Sequence, residues 1–151
     1  MIGRGSRNDS FETPEWLFKK LNSRFNFTID AASTEENKKC AQRLNDGLKD
    51  KWSGRVFCNP PFSQKKDWMK KAHESVQNGD CDLCVMLLPT NSMSSTFWHE
   101  LIFGKYYFEI INTRVFYIDP ETKKERRESD SGTTIVYFMK KIDAREKWLE
   151  N

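Results

Sequence analysis

Asn59-Pro60-Pro61-Phe62 is the stretch whose residue types and order could do chemistry. It follows a short apolar run, Arg55-Val56-Phe57-Cys58, that reads as a buried strand. A helix is expected directly after it, with Ser63 as N-cap and Trp68, Ala72 and Val76 on one face. The tetrapeptide therefore sits at the carboxyl end of a strand, where open α/β sheets place their ligands. Two prolines fix φ and remove two backbone donors. What remains is an amide side chain, prolyl carbonyls able to accept, and one aromatic face. That set suits a planar group bearing an NH2. A Pro-Pro turn that merely ends a strand is the plain alternative.

Other reactive residue types are present without supporting partners. His73 and His99 lack companions at metal-ligand spacing and read as surface helix residues. Cys81-x-x-Cys84 has no second pair of its kind, so a zinc site is not expected. Were Cys81 part of the strand containing Cys84, alternation would put the two thiols on opposite faces. Reduced cysteines are the expectation. No Gly-x-Ser-x-Gly or Walker loop occurs.

A nucleotide-type layout precedes the tetrapeptide. Phe25 to Ile29 reads as a strand ending in Asp30-Ala31-Ala32-Ser33. Ser33 and Glu36 make a capping-box pattern, which predicts a helix from about Thr34. Strand, tight turn and helix N-terminus are the elements of a phosphate or nucleotide site. Alanines stand where such loops usually carry glycines, and alanine does not take positive φ cheaply.

The sequence resembles S-adenosylmethionine-dependent N-methyltransferases that carry a [D/N/S]-P-P-[Y/F] motif. Its flanking residues resemble the small phage-type, Dam-like DNA N6-adenine methyltransferases: Asp9, Phe11, Thr13-Pro14 and Trp16; Asp30-Ala31-Ala32; Asn37; Asp46-Gly47-Leu48; Trp52; and Asn59-Pro60-Pro61-Phe62. The likeness covers roughly residues 9 to 140. It implies S-adenosylmethionine as cofactor and DNA as partner. Asn59, Pro60, Pro61 and Phe62 would then be catalytic. Phe11, Thr13 and Pro14 would lie at the cofactor's methionine end, and Asp30 with Ala31 and Ala32 would bind its amino-acid end. Asp46 would accept from the cofactor's adenine amino group; as a residue it reads equally as a solvated turn aspartate.

The implied reaction moves a methyl group to N6 of an adenine flipped out of the duplex. Phe62 would stack on the base, and Asn59 Oδ1 and the Pro60 carbonyl would accept from N6. Two acceptors favour a pyramidal nitrogen whose lone pair can attack, so no general base is needed. On this reasoning Asn59→Asp, which keeps an oxygen in place, is expected to retain transfer, and Asn59→Ala is not. The same motif also serves RNA bases, cytosine N4 and protein glutamine. A non-catalytic nucleic-acid-binding relic of the scaffold is the reading from a different class.

The elements that must position these residues belong to one domain. At 151 residues with 31% charged and 13% aromatic residues, the chain is large enough for a core and too apolar for disorder. No run has transmembrane length, and the N-terminus lacks a signal peptide's apolar stretch. A soluble protein is expected, in the host cytoplasm if phage-encoded. The net charge of +3 permits nucleic acid without demanding it.

Residues 1–8 read as a flexible arm and 9–151 as the methyltransferase domain. Thr13 and Pro14 read as N-cap and first helical residue, ahead of a core stripe of Trp16, Leu17, Leu21 and Phe25. The 25 residues between Ser33 and Asn59 are too few for two full strands and a helix, so an element there is shortened.

The helix after Phe62 carries Lys65, Lys66, Lys70 and Lys71, placed to meet phosphate. A buried strand is expected over 82–88, a short helix around Phe97 to Ile102, and strands over 106–117, broken near 112–114, and 132–139. The segment Asp119 to Ser131 holds five acids and four bases and suits a hairpin tip, with Lys123, Lys124, Arg126 and Arg127 as DNA contacts. A peripheral helix is expected over 142–149. The predicted fold is a single Rossmann-like α/β domain, mainly parallel, with a C-terminal antiparallel hairpin.

Overall fold

The computed structural model describes residues 11–126 and 132–149. Six strands form one sheet: β1 (Ile29–Asp30), β2 (Gln42–Arg43), β3 (Gly54–Cys58), β4 (Cys81–Pro89), β5 (Tyr107–Ile110) and β6 (Thr133–Phe138). Their order is β2-β1-β3-β4-β6-β5. The first four are mutually parallel, and β6 runs antiparallel to both its neighbours, β4 and β5. The sequence-predicted α/β architecture with its antiparallel C-terminal pair is therefore present.

Alternation along β4 makes two cores. Cys84, Met86 and Leu88 face α2 (Lys65–Gln77) and α3 (Thr96–Leu101), packing with Trp68, Ala72, Val76 and Trp98. Leu83, Val85 and Leu87 face the other way, against α1 (Glu15–Phe25). Burying such apolar side chains contributes roughly 25 cal/mol per Å² removed from water. The C-terminal helical turns, α4 (Lys141–Asp143) and a π-helical turn over Ala144–Trp148, close this second layer through Ala144 and Trp148.

Several local expectations are corrected. Trp16 is 47% exposed, and Phe18 takes its place in the buried stripe with Leu17, Leu21 and Phe25. The helix begins at Glu15, which sets Trp16 on the flank opposite Phe18. Thr13 does not cap α1; Pro14 is the N-cap and no side chain caps it. Nor does Ser63 cap α2, because it lies inside a 3-10 turn over Phe62–Gln64 that feeds the helix.

No helix follows β1. Thr34 and Asn37 exchange the reciprocal bonds of a capped turn, Thr34 N–H to Asn37 Oδ1 at 2.8 Å and Asn37 N–H to Thr34 Oγ1 at 3.3 Å. The turn then stops, because the following residues offer no apolar stripe to bury and a lone turn cannot sustain itself. A helix N-terminus is thus not part of this site.

Cys81 and Cys84 share one core rather than opposite faces. The register opposite them slips, with Gly54 paired to Cys81 but Arg55 to Leu83. The extra residue, Asp82, shifts the alternation by one. All four cysteines are free and buried. Among the described residues no helix is long and apolar enough to cross a membrane.

Candidate active site

β3 delivers Asn59 to the carboxyl edge of the sheet, beside the end of β1. Asp30 pairs in register with Phe57, and Ala31 N–H donates to the Phe57 carbonyl at 3.0 Å. Asp30 and Asn59 therefore flank one crevice.

The Asn59 amide is tied down on one side only. Its Nδ2 donates to the Phe11 carbonyl at 2.9 Å and to Thr13 Oγ1 at 3.0 Å. Among the described residues nothing donates to Oδ1 or to the Pro60 carbonyl. Two bonds to acceptors leave the amide a single sensible orientation. Phe62 sits beside it, half-buried, with its ring edge-to-face on Tyr117 at a centroid distance of 6.5 Å. The sequence did not single out Tyr117. It was read only as the end of a strand.

Asp30 is 3% exposed. Its Oδ2 accepts from Lys39 N–H at 2.8 Å. Burial pushes its carboxyl above the usual aspartate value, and the backbone N–H groups of Lys39 and Ala32 offset only part of that. A small pocket of about 20 Å³ opens here, walled by Phe11, Thr13, Asp30, Lys39 and Asn59 among others. It holds about one water. Through Ala32, Ser33 and Asn37 it adjoins a cleft of about 480 Å³ walled by Ala31, Asp46, Leu48, Pro61, Gln64 and Trp68 among others. A groove of about 560 Å³ between α1 and β5 contains none of the site residues named from the sequence.

Asp46 stands at the turn flanking the large cleft, where its Oδ1 accepts from Leu48 and Lys49 N–H at 3.2 Å each. The turn that faces Ala31 carries a glycine where the two segments approach closely. A Cβ on Gly47 would lie 2.2 Å from the Ala31 carbonyl oxygen and 2.4 Å from the Trp68 ring. The glycine that the layout needs is thus displaced to the facing turn.

The crevice suits an elongated nucleoside-amino acid. The large cleft matches the size of ordinary ligand pockets. The small pocket presents two acids, Glu12 and Asp30, and one base, Lys39, to a zwitterionic end, though Glu12 also pairs with Lys123 at 2.7 Å and Lys39 with Glu15 at 3.1 Å. At about 20 Å³ that end must open for an amino-acid group to enter.

Lys66 and Lys70 are exposed on α2, and Lys65 and Lys71 are half-buried. None forms an ion pair among the described residues. Lys65 and Lys66 stand in the first turn of α2, where cations oppose the helix dipole.

The 118–126 segment folds back over Phe11 and Glu12. Ile118 bridges to both Glu12 and Glu125. Lys123 pairs with Glu12 at 2.7 Å, and the Arg126 guanidinium lies 4.3 Å from the Phe11 ring centre. Lys124 is exposed, and Arg127 lies outside the described residues, as do residues 1–10 with Asp9. Glu12 was missed from the sequence, since its partner is more than a hundred residues away.

Among the described residues no group of three His, Cys, Asp or Glu side chains could hold a metal. Burial pushes the Cys40 and Cys81 thiols up to about 12, so neither is a ready nucleophile.

Residues 4–149 match the family model described as DNA N-6-adenine-methyltransferase (Dam). The chain is 30% identical over 145 residues to the DNA N-6-adenine-methyltransferase of Haemophilus phage HP1 (strain HP1c1), covering 90% of this chain and 82% of that one. It is 28% identical over 162 residues to the enzyme of the same name from Escherichia phage T1, covering 91% of this chain and 65% of the other. Among solved structures, the 23S rRNA methyltransferase ErmE overlaps 99% of this chain and 69% of its own at 10% identity, with a TM-score of 0.49 that is too loose to carry an argument. Sequence similarity over nearly its whole length makes this chain a member of the DNA N-6-adenine-methyltransferase (Dam) family.

Proposed function

We propose that the family's reaction, methylation of N6 of adenine in DNA, is carried out here at Asn59-Pro60-Pro61-Phe62 with S-adenosylmethionine as donor. The observation that carries this reading is the one-sided anchoring of Asn59. With Nδ2 held by Phe11 and Thr13, Oδ1 has no partner among the described residues, and neither has the carbonyl of Pro60 beside it. Two preorganised acceptors next to an aromatic ring form a receptor for an exocyclic amine on a planar base.

S-adenosylmethionine supplies an electrophilic methyl group on a sulfonium. The chain's own residues do the rest. Asp30 and Lys39 meet the zwitterionic end, and the cleft by Asp46 and Pro61 takes the nucleoside end. Phe62 stacks on the flipped adenine, steadied by the edge of Tyr117. Asn59 Oδ1 and the Pro60 carbonyl accept the two N6 hydrogens. As the nitrogen becomes pyramidal and positive, those fixed dipoles stabilise it without having to reorganise. The lysines of α2, with Lys124 and Arg126, face the DNA backbone.

The test is single-turnover transfer of labelled methyl from S-adenosylmethionine to duplex DNA, with the product nucleoside identified. N6-methyladenine is expected. Label in cytosine, RNA or protein, or no transfer at all, would overturn the reading.

A further inference from the structure

Two buried tryptophans meet at the large cleft, and the fold treats their indole N–H groups differently. Trp52 is fully buried and its Nε1 donates to the Gly47 carbonyl at 2.7 Å. Trp68 is 6% exposed, lies 6.4 Å from Trp52 ring to ring, and its Nε1 has no acceptor. Only one other buried side-chain N or O atom among the described residues, Ser92 Oγ, is in that position. A phenylalanine would fill much the same space without burying an unsatisfied donor, so the indole is costly as a packing residue.

Trp68 is also part of the cleft wall. Gly47 lies against the far edge of its six-membered ring, where a Cβ would clash. Polar neighbours in the wall are engaged: Asp46 Oδ1 with its own turn, Asn45 Oδ1 with Arg43, Asn37 Oδ1 with Thr34. One desolvated donor with no partner among the described residues is what a ligand acceptor would complete.

We propose that the Trp68 indole N–H is a cofactor-binding donor, giving its hydrogen bond to a nitrogen or oxygen acceptor on the nucleoside half of S-adenosylmethionine. This rests on the reading of the cleft as the nucleoside site. It assigns Trp68 a second task beside core packing, and accounts for tryptophan at a position where the core asks only for a large aromatic ring.

The experiment is Trp68→Phe in the full chain, titrated calorimetrically with S-adenosylhomocysteine and with adenosine, alongside thermal melting without ligand. At least fivefold weaker binding of both ligands is expected, with the unliganded melting temperature equal to or above wild type. Asp30→Asn should instead weaken S-adenosylhomocysteine and leave adenosine unaffected. Trp68→Phe binding both ligands as wild type does would overturn the inference. Wild-type protein that binds neither ligand would overturn the underlying reading of the cleft, which keeps the two failures distinct.

Should Trp68→Phe fail to fold, the wild-type indole signals decide. In a 15N-labelled sample, saturation with S-adenosylhomocysteine is expected to move the Trp68 indole proton downfield and leave that of Trp52 in place. A Trp68 signal that stays put overturns the inference.

Discussion

Thr13 Oγ1 accepts a hydrogen bond from Asn59 Nδ2 at 3.0 Å across 46 residues of sequence. The residue that looked like a helix cap instead orients the proposed catalytic amide. Thr13→Val keeps the shape and deletes the acceptor. One such bond is worth about 1 kcal/mol, roughly fivefold. Single-turnover methyl transfer at saturating cofactor is expected to slow by about that factor, with KM for DNA little changed. Thr13→Ser should restore the rate. Serine performing no better than valine would mean that Thr13 only packs.

Asn59→Asp is expected to be damaging, contrary to what the sequence suggests. The position of Nδ2 is 2.9 Å from the Phe11 carbonyl. A carboxylate oxygen placed there would repel it, whereas the amide N–H donates. The repulsion raises that carboxyl's pKa, so its protonated form, able to donate again, gains as pH falls. Transfer by Asn59→Asp should therefore be impaired at pH 8 and recover partly on mild acidification. Asn59→Ala should lose ~3 kcal/mol of transition-state stabilisation, roughly a hundredfold, with no such recovery. An aspartate variant as fast as wild type at pH 8 would sink the assigned orientation.

Asp30 is expected to give cofactor binding a pH dependence. Its carboxyl titrates above the usual value because it is buried. An ionised Asp30 is needed to hold an ammonium group, so the complex binds fewer protons than the free protein. Affinity for S-adenosylmethionine should then fall as pH drops through the raised pKa, starting above the range of an ordinary aspartate. For folding the same shift works in the other direction. This group destabilises the unliganded chain above its raised pKa, and the penalty is relieved as pH falls through it toward the unfolded value. Calorimetry across pH on wild type and Asp30→Asn checks both statements. The variant should bind more weakly, and its affinity should lack this acid-side fall.

Lys66 and Lys70 are the exposed members of the α2 lysine group. Reversing both to glutamate should weaken DNA binding and make the plot of log affinity against log salt shallower by about 1 per lost phosphate contact. Cofactor affinity should hold. An unchanged salt slope would mean that the helix faces solvent and the DNA lies elsewhere.

Much of the architecture was legible because it follows from local pattern. Short apolar runs marked β3 and β4, and 3.6-residue spacing marked Trp68, Ala72 and Val76. Asn59-Pro60-Pro61-Phe62 was legible as a candidate site because two prolines remove two backbone donors and leave acceptors at a strand end. Boundaries were less so. The Ser33–Glu36 pattern promised a helix that did not form, since capping chemistry starts a turn but only a buried face sustains one.

Tertiary structure decided what each polar group is for. Whether Thr13 caps a helix or holds Asn59 depends on residues 11–13 lying against the end of β3. Asp82 turned the alternation of β4 because a neighbouring strand slipped register there. Gly47 is needed for a carbonyl and a ring brought from two other elements. Lys123 and Glu12 meet only because the 118–126 segment folds back. Composition and periodicity determine which faces are buried, because burial energy is additive along the chain and insensitive to direction. A hydrogen bond is directional and short-ranged, so its partner is known only once distant segments have been placed to within a few tenths of an ångström.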